Sequence, residues 1–233
     1  GLGNRLRSGK RTRPVLLDLG FRLRDLLYDG ASEVHTRVDA DGHVKEELDE
    51  RSVQEALTRV YAEDVRSIAV ALMHSYRFRD HGRRIGEIAG RIGFTQISLS
   101  HDVSPLIKLV GRGDTAVVDA YLSPILRRYV DQVAGALGAD TGGCDRLMFL
   151  QSNGGLTAAR LFQGRDAILS GPAGGVVGMV RSARELGFEK LIGFDMGGTS
   201  TDVCHFAGTL ERSFETEVAG VRLRAPMMSI HTV

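Results

Sequence analysis

Short apolar runs alternate with stretches of helical periodicity along this sequence, and this alternation constrains the fold more than any other feature. The apolar run Ile68–Met73 precedes a helical pattern that Asp80 can cap and Gly93 can end, and another strand-like run, Gln96–Leu99, follows. A strand, a helix and a strand in this order predict a β-α-β unit with a partly parallel sheet. The sequence therefore predicts an α/β fold with mixed sheets and flanking helices.

The rest of the sequence continues the same pattern. In chain order we expect a strand at Val15–Leu17, a hairpin from Val34–Val38 through Asp41-Gly42, a helix after Asp49, a helix over Thr115–Leu137 kinked or divided at Pro124, a strand at Arg146–Leu150, a small-residue stretch from Ser170 leading into a helix through Glu185, and strands at Leu191–Asp195, Asp202–Phe206 and Leu210–Glu217.

Composition limits the class of protein. The chain has 233 residues, 42% of them hydrophobic, and a formal net charge of +1, which is typical of a globular protein with one or two domains. The longest apolar run, Ile68–Met73, is far shorter than the roughly 20 residues of a membrane span, so we expect no membrane association. Two widely spaced cysteines, Cys144 and Cys204, favour a reducing, cytoplasmic location.

The first segment is strongly basic. Residues 1–24 contain one carboxylate, Asp18, and seven cations. The cations are Arg5, Arg7, Lys10, Arg11, Arg13, Arg22 and Arg24. A nucleic-acid-binding arm is one interpretation. Because no aromatic side chains are interleaved with these cations, we favour a solvated or partner-facing end and expect no nucleic-acid partner.

The segment Phe194–Val203 carries the most informative chemistry. Paired glycines let backbone N–H groups converge on an anion, following hydroxyls add donors, and flanking carboxylates can hold a hydrated magnesium ion or orient a water molecule. These candidates are Asp195, Gly197, Gly198, Thr199, Ser200, Thr201 and Asp202. We interpret the segment as a phosphate-binding hairpin with an adjacent metal site, and a plain β-turn is the alternative.

Other polar and small residues are weaker candidates. Ser152 and Asn153 precede a Gly-Gly pair and are consistent with a ligand contact or with a plain turn. The run Gly171–Gly178, which includes Gly174 and Gly175, permits a close approach to nucleotide, tight helix–sheet packing, or both. His74 and His101 each follow a strand-like run, where active-site residues gather in α/β sheets, but we favour structural roles for both.

Several segments together carry a family resemblance. Phe194–Val203 resembles the second phosphate loop of the hydantoinase A and 5-oxoprolinase family, within the actin-like, sugar-kinase-like ATPase superfamily. The other similar segments are Leu150–Gly155, Leu169–Gly178, His74–Tyr76 with His81, Asp119–Leu122 and Ile230–Val233. The resemblance extends over nearly the whole chain from about Arg13.

The resemblance implies a two-lobed, ribonuclease H-like ATPase fold, with residues 1–165 in the N-terminal lobe and 166–233 opening the second lobe. It implies that ATP activates a cyclic amide carbonyl by phosphorylating its oxygen, with magnesium or another divalent cation as cofactor. Gly197–Thr201 would hold phosphates, with Gly174 and Gly175 near the nucleotide. Asp195 and Asp202 would act as catalytic and metal-binding residues, with His231 as a further metal ligand. It also implies a B-type partner subunit, and self-association into a homo-oligomer is a further expectation.

Two family features have no counterpart in this sequence. A first Asp-x-Gly-Gly-Thr loop and a glycine-rich adenosine segment are both missing, so we expect an internal part of a longer enzyme that is inactive alone. An ATP-dependent ketone carboxylase subunit is the nearest alternative. A sugar-kinase-like ATPase and a chaperone-like ATPase are alternatives from other classes.

Overall fold

The computed structural model describes residues 27–139, 142–198, 200–218 and 220–232, together with the backbone of residues 11–12 and 22–23. The strands are β1 Arg11–Thr12, β2 Arg22–Leu23, β3 Arg37–Val38, β4 Val44–Glu46, β5 Ser67–Val70, β6 Gln96–Leu99, β7 Met148–Leu150, β8 Leu156–Ala158, β9 Lys190–Met196, β10 Thr201–Ala207, β11 Arg212–Ser213, β12 Thr216–Val218, β13 Val221–Leu223, β14 Met227–Met228 and β15 His231–Thr232. The α-helices are α1 Glu50–Ala62, α2 Asp80–Ile92, α3 Ser100–Val103, α4 Leu109–Ala136, α5 Gly164–Ala167 and α6 Ser170–Glu185, and a 3₁₀ turn spans Ala159–Leu161.

The chain divides into two units. The first comprises Gly1–Pro124 with Glu217–Arg224, and the second comprises Ile125–Thr216 with Ala225–Val233. Helix α4 continues through Pro124 as one element, so the expected alternative of two separate helices is wrong. The first stretch of the first unit ends at this proline.

The first unit contains the predicted β-α-β arrangement. Strands β5 and β6 are parallel, with Ser67 opposite Gln96 and Val70 opposite Leu99, and α2 connects them. Helix α2 ends at Gly93, which has a φ of 115° and a left-handed conformation that glycine adopts without steric cost. The predicted cap at Asp80 is wrong by one position: Asp80 is the first helical residue, and Arg79 precedes it without a side-chain cap.

Two helices cover this part of the first unit. Asp49 caps α1 as predicted, because its carboxylate accepts a hydrogen bond from the Ser52 amide. Val53 of α1 packs with Ile85 and Ile88 of α2 in a buried cluster. The predicted hairpin is also present, since β3 pairs with β4 in antiparallel fashion.

The second unit is built on an antiparallel sheet of order β15-β10-β9. Side chains alternate between the two faces of a strand, and the face that includes Leu191 packs against α6. The core on this face contains Ala173, Val176, Val180, Phe206 and Met228. Burial of these side chains fixes α6 across the β9–β10 hairpin.

Three predictions differ from the structure. The small-residue run after Ser170 does not lead into a helix but is itself the first half of α6, in which Ala173 is buried and Gly174 lies close to Leu150. Leu210–Glu217 is not one strand, since β11 and β12 are separated by a bend. The strand expected at Val15–Leu17 lies outside the described residues.

No helix in the described part of the chain combines the length and hydropathy needed for a membrane span.

Candidate phosphate and metal site

The β9–β10 hairpin brings the two candidate carboxylates together. Asp195 is the direct partner of Asp202 in the antiparallel register, so both side chains leave the sheet on the same face. Directly opposite residues in such a pair have Cβ atoms about 4.5–5.5 Å apart. Asp195 is exposed and Asp202 is half-buried. Two like charges in this arrangement repel each other, and a cation bound between them would remove that penalty.

Thr232 joins this row from the third strand. In the pairing of β10 with β15 it lies opposite Asp202, and its Oγ1 donates a hydrogen bond of 2.6 Å to Asp202 Oδ1. The hydroxyl fixes one carboxylate oxygen and leaves the other available. The sequence pattern did not single out Thr232. What could have indicated Thr232 is its position next to His231, because neighbouring residues of a strand project from opposite faces of the sheet.

His231 is not brought to the two carboxylates. Its register partner is Val203, one position along β10 from Asp202, so its side chain leaves the opposite face of the sheet. Thr201, opposite Met196, also projects from that other face. The residues that share a face and a row are therefore Asp195, Asp202 and Thr232.

The loop of the hairpin is short and exposed. Gly197 donates its amide to the Ser200 carbonyl at 2.9 Å, which closes the loop and occupies that N–H group. Gly198 has nothing within 4 Å of the position of a Cβ atom, so its surroundings are open. Ser200 is exposed, and Thr199 lies outside the described residues.

Helix α6 passes beside Asp195. A Cβ atom placed on Gly175 would lie 3.9 Å from Asp195 Oδ2, so the helix approaches this carboxylate with a residue that has no side chain. Gly174 faces the strand β7 instead, where a Cβ atom would lie 3.2 Å from Leu150 Cδ2. The two adjacent glycines thus have different roles: Gly175 lies beside the carboxylate, and Gly174 allows close helix–strand packing.

Cys204 lies on the same face as the carboxylates, deeper in the sheet. Burial raises the pKa of its thiol, and the negative charge of Asp202 acts in the same direction. A protonated thiol is a poor nucleophile and a poor metal ligand. The arrangement therefore offers oxygen ligands, which hard cations such as magnesium prefer.

Ser152 and Asn153 form a structural turn. Ser152 is 1% exposed, and its hydroxyl donates to the Asp166 carbonyl and accepts from the Leu169 amide. Asn153 Oδ1 accepts from the Gly155 amide at 2.7 Å. Gly154 between them has a φ of 82°, and a Cβ atom there would lie 2.0 Å from Met228 Cε. These contacts favour the plain-turn interpretation.

Among the described residues of the first unit there is a cluster of ligand-type side chains that the sequence pattern did not indicate. Asp39, Asp41 and His43 lie together on the β3–β4 hairpin. The Asp39 carboxylate already accepts from the Asp41 and His43 amides and pairs with Lys45. These bonds stabilise the turn of the hairpin.

Comparison with known proteins identifies relatives along the whole chain. The family model for the hydantoinase/oxoprolinase N-terminal region matches residues 1–93, and the hydantoinase/oxoprolinase model matches residues 112–233. The 5-oxoprolinase of Saccharomyces cerevisiae is 38% identical over 264 residues, which cover 100% of this chain and 20% of the yeast protein. The chain thus spans about a fifth of the length of the curated 5-oxoprolinases it matches.

Solved structures also resemble the chain, and two of them indicate its fold. The ATP-dependent caprolactamase of Pseudomonas jessenii matches with a TM-score of 0.81 and 26% identity, over 100% of this chain and 35% of that one. A nucleotide-free acetone carboxylase matches with a TM-score of 0.75 and 25% identity, over 86% of this chain and 29% of that one. Both have the actin-like ATPase type of fold, which confirms the fold class predicted from the sequence.

Proposed function

The chain belongs to the hydantoinase/oxoprolinase family, and we propose that it is part of an ATP-dependent hydrolase that opens cyclic amides. The activity belongs to the longer protein, to which this chain contributes a phosphate-binding hairpin. The relatives named 5-oxoprolinase and ATP-dependent caprolactamase support the substrate class, since both names describe the opening of a cyclic amide. We further propose that residues 1–165 belong to the N-terminal lobe and that residues 166–233 begin the second.

The facing pair of Asp195 and Asp202 is the observation that carries the proposal. Their carboxylates, with Thr232 beside them, offer a cluster of oxygen ligands that fits a divalent cation. Magnesium, when bound there, would neutralise charge on the β and γ phosphates of ATP. Gly198 and Ser200, at the exposed tip of the hairpin, would donate to phosphate oxygens. We leave His231 out of the ligand set because it projects from the opposite face.

ATP-driven activation suits the chemistry of an amide. The carbonyl oxygen of the ring attacks the γ phosphorus, and the bond from that phosphorus to the β–γ bridging oxygen breaks, so ADP departs with the electron pair. The ring carbon then bears a phosphate leaving group and is open to attack by water. Asp195, the more exposed of the two carboxylates, is placed to orient a reacting group, while Thr232 holds Asp202 in position.

Calorimetric titration of magnesium-ATP into the chain tests the site. The variants Asp195→Asn and Asp202→Asn remove charge without changing side-chain size, and Asp145→Asn is the control, because Asp145 is exposed on the segment before β7. We expect each site variant to weaken binding by about tenfold or more, as loss of an ionic ligand does, and the control to leave binding unchanged. Equal affinity in all four proteins would disprove the assignment of this site.

The substrate class is tested in the full-length protein with its B-type partner subunit. Phosphate release is measured with 5-oxoproline, hydantoin, caprolactam, acetone with bicarbonate, and a hexose. Turnover with a cyclic amide supports the proposal, and turnover with acetone and bicarbonate would favour a ketone carboxylase, the second candidate, which the likeness to acetone carboxylase supports. Hexose-dependent release would indicate a sugar kinase, and release without any small substrate would indicate a chaperone-like ATPase.

The partner subunit, a homo-oligomer and a cytoplasmic location stay predictions.

A further inference from the structure

The turn after β5 holds a histidine in a strained backbone conformation. His74 has a φ of 60°, and among the described residues Asp64 is the one other non-glycine residue with a positive φ. A left-handed conformation brings the Cβ atom close to the following carbonyl oxygen and persists where the surrounding structure enforces it. Such strain is concentrated at functional sites, so His74 is a candidate for a role beyond the fold.

The location of His74 is also that of a ligand site. Because β5 and β6 are parallel, their carboxyl ends meet at one edge of the sheet. His74 follows β5 at this edge, and α3 begins directly after β6. Ligands of open α/β sheets bind outside the carboxyl ends of their strands. The strained residue and the expected binding edge therefore coincide.

A buried arginine fixes this turn. Arg112 is 0% exposed, and its guanidinium donates to neutral acceptors that tie the segments after β5 and β6 to the start of α4. These acceptors are the Leu72, Leu106 and Ile107 carbonyls and the Ser75 and Ser100 hydroxyls. The carbonyl of Leu72 also accepts from the Ser75 amide and hydroxyl, which closes the turn around His74. The hydrogen bonds of Arg112 and Ser75 therefore fix the geometry of the turn.

The same arginine places a buried cation at this edge, to which α3 also brings the carboxylate of Asp102. No carboxylate is among its hydrogen-bond acceptors in the described part of the chain. Burial lowers the pKa of Arg112, Tyr76 opposes this shift, and the like charge of Arg224 adds to it. A guanidinium in a low-dielectric setting exerts a stronger field than it would in water, and this field attracts anions to the neighbouring surface.

Two polar rings stand on that surface. The Tyr76 ring centroid lies 5.7 Å from the Arg112 guanidinium carbon and 6.4 Å from the His74 ring centroid. Both rings are half-buried, and neither has a hydrogen-bond partner among the residues that the structure describes. The phenol and the imidazole are therefore free to donate hydrogen bonds to a ligand.

We propose that His74 and Tyr76 bind the carboxylate group of a small molecule at the carboxyl edge of the β5–β6 pair, with Arg112 holding the turn and supplying positive potential. The proposal rests on the proposed function for its choice of ligand, a cyclic amide whose ring carries a carboxylate. His74 and Tyr76 would then select such a substrate over an uncharged lactam.

The test compares two probes that differ by that one group. The full chain is titrated with 5-oxoproline and with 2-pyrrolidinone, which lacks the carboxylate, and binding is followed by calorimetry and by the NMR signals of the His74 ring. We expect saturable binding of 5-oxoproline with a shift of the His74 signals, and binding of 2-pyrrolidinone that is weaker by about tenfold. Equal affinity for the two probes, or no binding of 5-oxoproline, would overturn the proposal.

Glycine substitutions separate the role of the ring from that of the backbone. His74→Gly keeps the left-handed turn and removes the imidazole, so we expect the melting temperature to rise by about 2–4 °C while affinity for 5-oxoproline falls by about fivefold or more. Tyr76→Phe should also weaken that binding. Asp64→Gly relieves the other strained position and should leave affinity unchanged. Unchanged affinity in His74→Gly, or an equal loss in Asp64→Gly, would contradict the proposal.

The two sites fail independently. Asp195→Asn and Asp202→Asn, which are expected to weaken magnesium-ATP binding, should leave the 5-oxoproline titration unaltered. Loss of carboxylate binding with intact nucleotide binding would reject this inference alone, and the reverse result would reject the phosphate site alone.

Discussion

Thr232 Oγ1 donates a hydrogen bond of 2.6 Å to Asp202 Oδ1, and Asp195 lies opposite Asp202 on the other side. A hydroxyl and two carboxylates thus form a row across three strands, each supplied by a different strand. The hydroxyl orients one carboxylate and compensates part of its charge.

Replacing Thr232 by valine should weaken binding of magnesium-ATP without unfolding the sheet. Valine keeps the β-branched shape but removes the donor to Asp202, so the carboxylate loses its fixed orientation. We expect a loss of affinity of about three- to tenfold, measured by calorimetry. Thr232→Ser retains the hydroxyl and should bind nearly as the natural chain does. A valine variant with full affinity would show that this bond does not position the ligand.

Adding one methyl group at Gly193 should destabilise the second unit. A Cβ atom there would lie 2.5 Å from Cys204 Sγ and 2.5 Å from Met179 Sδ, so these two side chains would have to shift. We expect Gly193→Ala to lower the free energy of unfolding by about 1–3 kcal/mol, measured by urea denaturation. Gly178→Ala is the matched control, because nothing lies within 4 Å of its Cβ position in α6. It should raise stability by about 0.5–1 kcal/mol.

His101 should make stability fall in mildly acidic solution. It is 1% exposed, and burial lowers its pKa below the ordinary 6.5, although Asp102 opposes the shift. Below about pH 6.5 the unfolded chain therefore takes up a proton that the folded chain resists, and the free energy of unfolding falls as the pH falls towards the folded pKa. Between pH 7.5 and pH 5, the melting temperature of His101→Gln should fall by less than that of the natural chain. An unchanged pH profile would exclude His101 as the source.

Arg112→Lys should be strongly destabilising although it conserves charge. One ammonium group cannot reach the carbonyls and hydroxyls that the planar guanidinium joins, so buried acceptors lose their donors. We expect the free energy of unfolding to fall by about 2–4 kcal/mol. Arg51→Lys provides the control, because the Arg51 side chain is 91% exposed and should change stability by less than about 0.5 kcal/mol. Similar stability of the two variants would show that the hydrogen bonds of Arg112 do not stabilise the fold.

Local signals in the sequence were sufficient for most elements. The helix after Asp49, the strand Gln96–Leu99 and the helix that ends at Glu185 were all predicted from periodicity and capping residues. Their formation depends on neighbours within a few positions along the chain. The errors lie where contacts between distant segments matter: the glycine run belongs to α6, and its Gly174 lies close to Leu150, which is distant in sequence.

By itself, the sequence determined that the chain alternates strands and helices and that Asp195 and Asp202 flank a glycine-rich hairpin. Only the tertiary structure decided which side chains meet there. Register with a distant strand places Thr232 beside Asp202 and turns His231 to the other face, because a shift of one residue reverses the side of the sheet. The strained conformation of His74 and the hydrogen bonds of Arg112 likewise depend on contacts between segments that are distant in sequence. No local sequence pattern encodes such contacts.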